Sequence, residues 1–108
     1  MRRVNLDRPE FDQADGRPRR TARVGAHLGA ALIGAFLYEL GEAEGAYPDD
    51  LPHGPEQWLL VVDGEPTLGG PDGDRTLRRG DVLCFPRGSE GPRALRGPGR
   101  VLIFSEQP

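Results

Sequence analysis

Asp50, His53 and Glu56 crowd the proline-rich stretch just before the apolar run Trp58–Val62. Two carboxylates and an imidazole at this spacing could hold a divalent cation weakly. If desolvated, the carboxylates could instead share acid–base work. Gln57 adds a neutral amide beside them. Arg93, distant in the sequence, carries a fixed cation able to grip a carboxylate, enolate or phosphate with two parallel hydrogen bonds. Each has a plain reading too. Asp50 and Glu56 would sit solvated at a loop mouth, His53 would be an exposed loop histidine, Gln57 a satisfied structural amide, and Arg93 the ion-pair partner of Asp50 or Glu56.

Tyr38 and Trp58 are the aromatic side chains suited to stacking on a flat ligand, or to filling the core of a chain poor in large residues. His27 precedes a long apolar segment and reads as structural or exposed. Cys84 lies between Leu83 and Phe85, where a buried inert thiol is expected. No glycine-rich phosphate loop stands between a strand and a helix, no Cys/His spacing suits zinc, and no nucleophile elbow occurs.

The elements that must carry these residues are short and strand-like. Ala31–Leu40 is apolar, glycine-punctuated and too short for a helix, so it reads as a strand buried on both faces. Trp58–Val62 is a second strand, turned at Asp63-Gly64. Thr67-Leu68 and Arg75–Leu77 form a hairpin about Pro71-Asp72-Gly73-Asp74, where proline presets φ and glycine accepts the left-handed region. Arg79-Gly80-Asp81 turns into Val82–Phe85. Arg93–Arg96 and Val101–Ser105 close the series across the turn Gly97-Pro98-Gly99. Tyr47–Pro55 is a loop, since its prolines cannot donate to a ladder. Short strands, frequent turns and no convincing helix predict an all-β sandwich or barrel.

A chain of 108 residues makes one domain. The expected division is an N-terminal arm or lead-in over 1–22 and a barrel over 23–108. Residues 1–25 hold seven arginines against four acids, and the remainder seven against thirteen. With a net charge of -3, the whole chain is not a nucleic-acid binder by bulk electrostatics. The arginines before Leu28–Leu37 loosely resemble a secretory leader, but Gly29 and Gly34 and the acidic lead argue against it. The run is too short to span a bilayer. A single cysteine excludes an internal disulfide and suits the cytoplasm.

Two stretches resemble the paired motifs of small single-domain bacterial cupins. Glu56-Gln57-Trp58-Leu59-Leu60-Val61-Val62-Asp63-Gly64-Glu65-Pro66 is similar to the end of the first motif, where an acid precedes a strand closing at a glycine turn. Arg79-Gly80-Asp81-Val82-Leu83-Cys84-Phe85-Pro86-Arg87-Gly88 is similar to the start of the second, a glycine, five residues, then Pro-x-Gly. Leu37-Tyr38-Glu39-Leu40 resembles the strand leading into the first. The resemblance implies a jelly-roll barrel (a double-stranded β-helix) with its site at the mouth, usually in a homodimer.

It also implies a metal held by two histidines, a glutamate and a further histidine. Here those positions fall near Asp50 and Pro52, on Gln57 and on Arg93. Proline has no ligating group, arginine no free lone pair, and a glutamine amide ligates poorly. The expectation is a ligand site of Tyr38, Asp50, Glu56, Gln57, Trp58 and Arg93 taking a small organic anion without a metal cofactor. An isomerisation or cyclisation is the matching reaction. The rivals are a metalloenzyme using Asp50, His53 and Glu56, and a non-catalytic interaction module. Neither nucleic acid nor membrane is expected as a partner; a homodimer is.

Overall fold

The computed structural model describes residues 1–11, 19–41, 45–46, 55–70, 73–88 and 94–106. The described chain runs β1 (Arg19–Ala22), α1 (Val24–His27), β2 (Ile33–Leu40), β3 (Gly45–Ala46), β4 (Gln57–Gly64), β5 (Thr67–Gly70), β6 (Gly73–Thr76), β7 (Val82–Phe85), β8 (Ala94–Arg96) and β9 (Gly99–Glu106). One sheet has the order β1-β2-β9-β4-β7 and the other β3-β8-β5-β6. Every pairing is antiparallel. This is the all-β architecture that the alternating apolar runs require, because each sheet must bury a face against the other.

The strong apolar runs make the middle of the larger sheet. All eight residues of β2 pair with β9, from Ile33 opposite Glu106 to Leu40 opposite Gly99. On its other side β9 takes β4, with Leu59 opposite Ile103 and a register shift between Val61 and Asp63. Successive side chains point to opposite faces, so each strand feeds two cores. Tyr38, Leu40, Leu59, Val61, Val101 and Ile103 point between the sheets, where Leu77 and Leu95 meet them. Ala35, Leu37 and Leu102 point outward and join Ala22 and Val24 in a second cluster. Each fully buried leucine in these clusters stabilises by about 1.5–3 kcal/mol. Gly64 has φ 78, and a Cβ there would lie 2.7 Å from Gly99 Cα, so the turn foreseen at Asp63-Gly64 requires glycine.

The amino-terminal residues are built into the fold rather than hanging from it. Arg19–Ala22, expected in the lead-in, pairs with β2, Thr21 opposite Tyr38. Val4, Leu6 and Phe11 pack on the outer cluster. Arg100 Nη1 donates to the Leu6 carbonyl at 3.0 Å and Nη2 to Glu39 Oε1 at 2.8 Å, while its guanidinium lies 5.8 Å from the Phe11 ring centre. These apolar residues are too few and too irregularly spaced to show a period, so the sequence reads as an arm. One helical turn, α1, also departs from the all-strand expectation. Among the described residues no helix is long and apolar enough to cross a membrane.

Candidate functional site

The space between the sheets is organised in layers. Gly34, Ser105, Gln57 and Phe85 stand opposite one another across β2, β9, β4 and β7. The next layer is Phe36, Ile103, Leu59 and Leu83, and the next Tyr38, Val101 and Val61. The first layer brings an amide and an aliphatic hydroxyl inward from these strands: Gln57 is 3% exposed and Ser105 4%; the other inward polar group is the phenol of Tyr38, two layers below. Burying an amide and a hydroxyl costs stability unless they are hydrogen-bonded. Ser105 Oγ donates to the Glu106 carbonyl at 3.2 Å, and Gln57 is also engaged.

Connectivity marks this layer as one end of the barrel. β4 begins at Gln57 and is reached from β3 in the other sheet; β7 ends at Phe85 and leads to β8 in the other sheet. The first of these connections carries Asp50 and His53, and the second carries Arg93. All three fall outside the described residues.

The remaining expected site residues separate. Tyr38 faces inward but lies two layers below Gln57, roughly 13 Å along the strands at the usual rise. It is 1% exposed, its ring stacked at 6.4 Å on Phe36, and it belongs to the packed centre. Trp58 and Glu56 point the other way. Alternation along β4 buries Gln57 and Leu59 and exposes Trp58. Trp58 Nε1 donates to Glu56 Oε2 at 3.2 Å on the outside of the sheet. Glu56 therefore does not face the interior.

Cys84, opposite Trp58, is likewise outside and exposed, against the expectation of a buried thiol. Desolvation and the adjacent Glu56 carboxylate, which accepts its hydrogen bond, push the thiol above its ordinary pKa. Ser105 and the rings of Phe36 and Phe85 escaped the sequence reading. The register of β9 against β4 finds them, but a single sequence does not reveal that pairing.

The cupin fold ordinarily implies a divalent metal at such an end. The described groups that face it are an amide, a hydroxyl and two phenyl rings, none a strong ligand for a transition metal. Among the described residues no three His, Cys, Asp or Glu side chains cluster to hold an ion. The described residues alone do not make a metal site, and the candidates Asp50 and His53 lie outside them.

No family model matches the sequence, and no curated protein matches it. Solved structures do match the fold. The polyketide cyclase RemF from Streptomyces resistomycificus superposes with a TM-score of 0.72 at 19% identity, covering 98% of this chain and 79% of that one. A cupin-superfamily sugar phosphate isomerase from Silicibacter pomeroyi gives 0.68 at 22% identity, with 98% and 76% covered. A protein described as a sugar phosphate isomerase from Acidithiobacillus ferrooxidans gives 0.66 at 16% identity; 83% of this chain is covered but only 60% of that one. By fold the chain is a cupin-type jelly-roll domain.

Proposed function

We propose that the chain binds a small organic anion at the Gln57–Ser105 end of the barrel, without a metal. The observation that carries this reading is the buried polar pair at the end where both connections bearing Asp50, His53 and Arg93 attach. The middle of the barrel is closed by the fully buried Tyr38, Leu59, Leu95 and Ile103. We therefore assign the ligand to the end, not to this packed middle. At that end Gln57 and Ser105 offer neutral hydrogen bonds and Phe36 and Phe85 an apolar wall; we assign the countercharge to Arg93, carried by the connection after β7 outside the described residues. Asp50 and His53 are the groups we assign to proton transfer. Isomerisation and cyclisation, the reactions named for two structural neighbours, need proton movement between fixed groups and no net electron transfer.

The same closed middle favours a second reading, a non-catalytic module using its outer surface. Two further assignments belong to the proposal. An exposed free thiol suits the reducing cytoplasm. The exposed Ile33, Trp58 and Phe104 on the outer sheet face suit pairing with a second copy.

The test is a thermal-shift and calorimetric screen of organic carboxylates and phosphates against wild type, Gln57→Leu and Arg93→Ala, with elemental analysis of the same protein. Binding weakened roughly tenfold or more in both variants is expected. A stoichiometric metal lost in Asp50→Ala or His53→Ala overturns the metal-independent reading. A screen with no hits moves the non-catalytic module to the front.

A further inference from the structure

The arginine-rich start of the chain is the sequence feature that the barrel end leaves unused. It forms one wall of a separate cavity on the outer side of the larger sheet. The cavity encloses about 310 Å³ between residues 3–10, β1 and α1. Arg3, Arg8 and His27 reach it from two different parts of the chain; Glu10 is the acid in the lining, and Val4 and Val24 contribute apolar surface. Gly29, in the left-handed region at φ 74, leaves room beside it for the guanidinium of Arg2, the neighbour of Arg3 in the chain.

The wall is held in place. Arg100 fixes the Leu6 carbonyl, Val4 and Leu6 pack on the outer cluster, and the Asp7 amide donates to Asn5 Oδ1 at 2.8 Å. The cationic side chains are thus carried on an ordered segment, which lowers the entropic cost of converging on a ligand. Among the described lining residues two guanidinium forks stand against one carboxylate, which leaves positive charge in a concave site. Forked donors match the oxygens of a phosphate, and a volume near 300 Å³ is at the small end of ligand pockets.

We propose that this cavity binds a phosphate monoester, the phosphate gripped by Arg3 and Arg8 with His27 as a further donor, and a small apolar body against Val4 and Val24. The site is on the opposite face of the sheet from the Gln57–Ser105 end and stands independently of the function assigned there.

Isothermal titration of the full chain with phenyl phosphate, inorganic phosphate and benzyl alcohol tests it, using wild type, the double variant Arg3→Gln/Arg8→Gln, His27→Gln and Arg93→Ala. Circular dichroism checks that each variant is folded; Arg3, Arg8 and His27 are exposed. Wild type binds phenyl phosphate, the double variant loses roughly tenfold or more at this site, His27→Gln loses less, and Arg93→Ala removes only whatever separate binding the barrel end contributes. Phenyl phosphate binds more tightly than inorganic phosphate, which lacks the apolar body. The proposal is overturned if wild type shows no phenyl phosphate binding at millimolar concentration. Equal binding by the double variant, or equally tight binding of benzyl alcohol, overturns it too. Binding lost in Arg93→Ala but retained in the double variant places the phosphate at the barrel end instead and also overturns it.

Discussion

Gln57 and Ser105 are direct cross-strand partners between β4 and β9, and both turn their polar side chains into the barrel. Every inward layer below them along these strands is apolar or aromatic. The pair therefore marks the one described place between the sheets where a polar ligand group would meet hydrogen-bonding partners from β4 and β9. Leucine at position 57 has similar volume and removes the amide. Gln57→Leu should keep the fold, with stability within about 1.5 kcal/mol of wild type. Chemical denaturation measures this. A loss above about 3 kcal/mol would show that the amide is a structural keystone, not a ligand group.

The centre of the barrel should behave as ordinary packed core. Leu59 and Ile103 are opposite one another and fully buried. Leu59→Ala is expected to cost about 3–4 kcal/mol by leaving a cavity. Val82→Ala, on the same sheet but 57% exposed, should cost under about 0.5 kcal/mol. Urea midpoints for the two variants give the comparison directly. Equal losses would mean that Val82 is covered in solution.

The contrast between those positions shows where the sequence was legible and where it was not. The runs in β2, β4 and β9 announced themselves as strands, and turn chemistry located Gly64 correctly. Facing was another matter. In Trp58-Leu59-Leu60-Val61-Val62 both alternations are apolar, so hydrophobicity does not say which set points inward. Aromaticity suggests a pocket or core position for Trp58, and apolar neighbours suggest the core for Cys84. Both lie on the opposite face, set by pairing with partners distant in sequence. Glu56 followed Trp58 outward for the same reason. Val4, Leu6 and Phe11 were invisible because irregular segments pack without a period.

Arg100 is the tie between that irregular segment and the sheet. Its side chain and that of Glu39 are 19% and 27% exposed, so the pair is neither fully screened nor fully desolvated. Arg100→Met should cost about 2 kcal/mol, between the values for surface and buried pairs. It should also raise the rate at which a protease cuts within residues 1–11, because the Leu6 carbonyl loses its donor. Limited proteolysis with mass spectrometry reads this out. Unchanged cutting would mean that the apolar contacts of Val4, Leu6 and Phe11 suffice alone.

The thiol of Cys84 provides a pH-dependent reporter of the outer face. Desolvation and the negative charge of Glu56 both disfavour the thiolate, so its pKa lies above the ordinary value. At a fixed pH near 8 the reactive thiolate is scarcer than in a free cysteine, and alkylation should be slow despite exposure. Glu56→Gln removes the charge, lowers the thiol pKa and should speed iodoacetamide labelling at pH 8. At pH well above both pKa values the two proteins should react alike. A variant that labels more slowly than wild type at pH 8 would contradict the arrangement of Glu56 beside Cys84.

The same face is the one we assign to the proposed pairing with a second copy. Ile33, Trp58 and Phe104 are exposed together beside a shallow groove that Glu56 and Glu106 also line. Arg87 Nη2 donates to Glu106 Oε2 at 2.7 Å, and the Glu56 amide to Glu106 Oε1 at 3.2 Å. The apolar centre is thus bordered by charges of both signs. A two-fold packing of this face on a second copy sets apolar surface on apolar surface and lets Arg87 of each copy approach an acid of the other. Light scattering on wild type should therefore give twice the mass of the chain. Phe104→Glu, which places a charge at the centre of the contact, should give the monomer mass with an unchanged far-ultraviolet spectrum. Trp58 emission should shift to longer wavelength in that variant as the indole meets water. A monomeric wild type would leave the face to a different partner, and a dimeric Phe104→Glu would place the dimer contact elsewhere on the molecule.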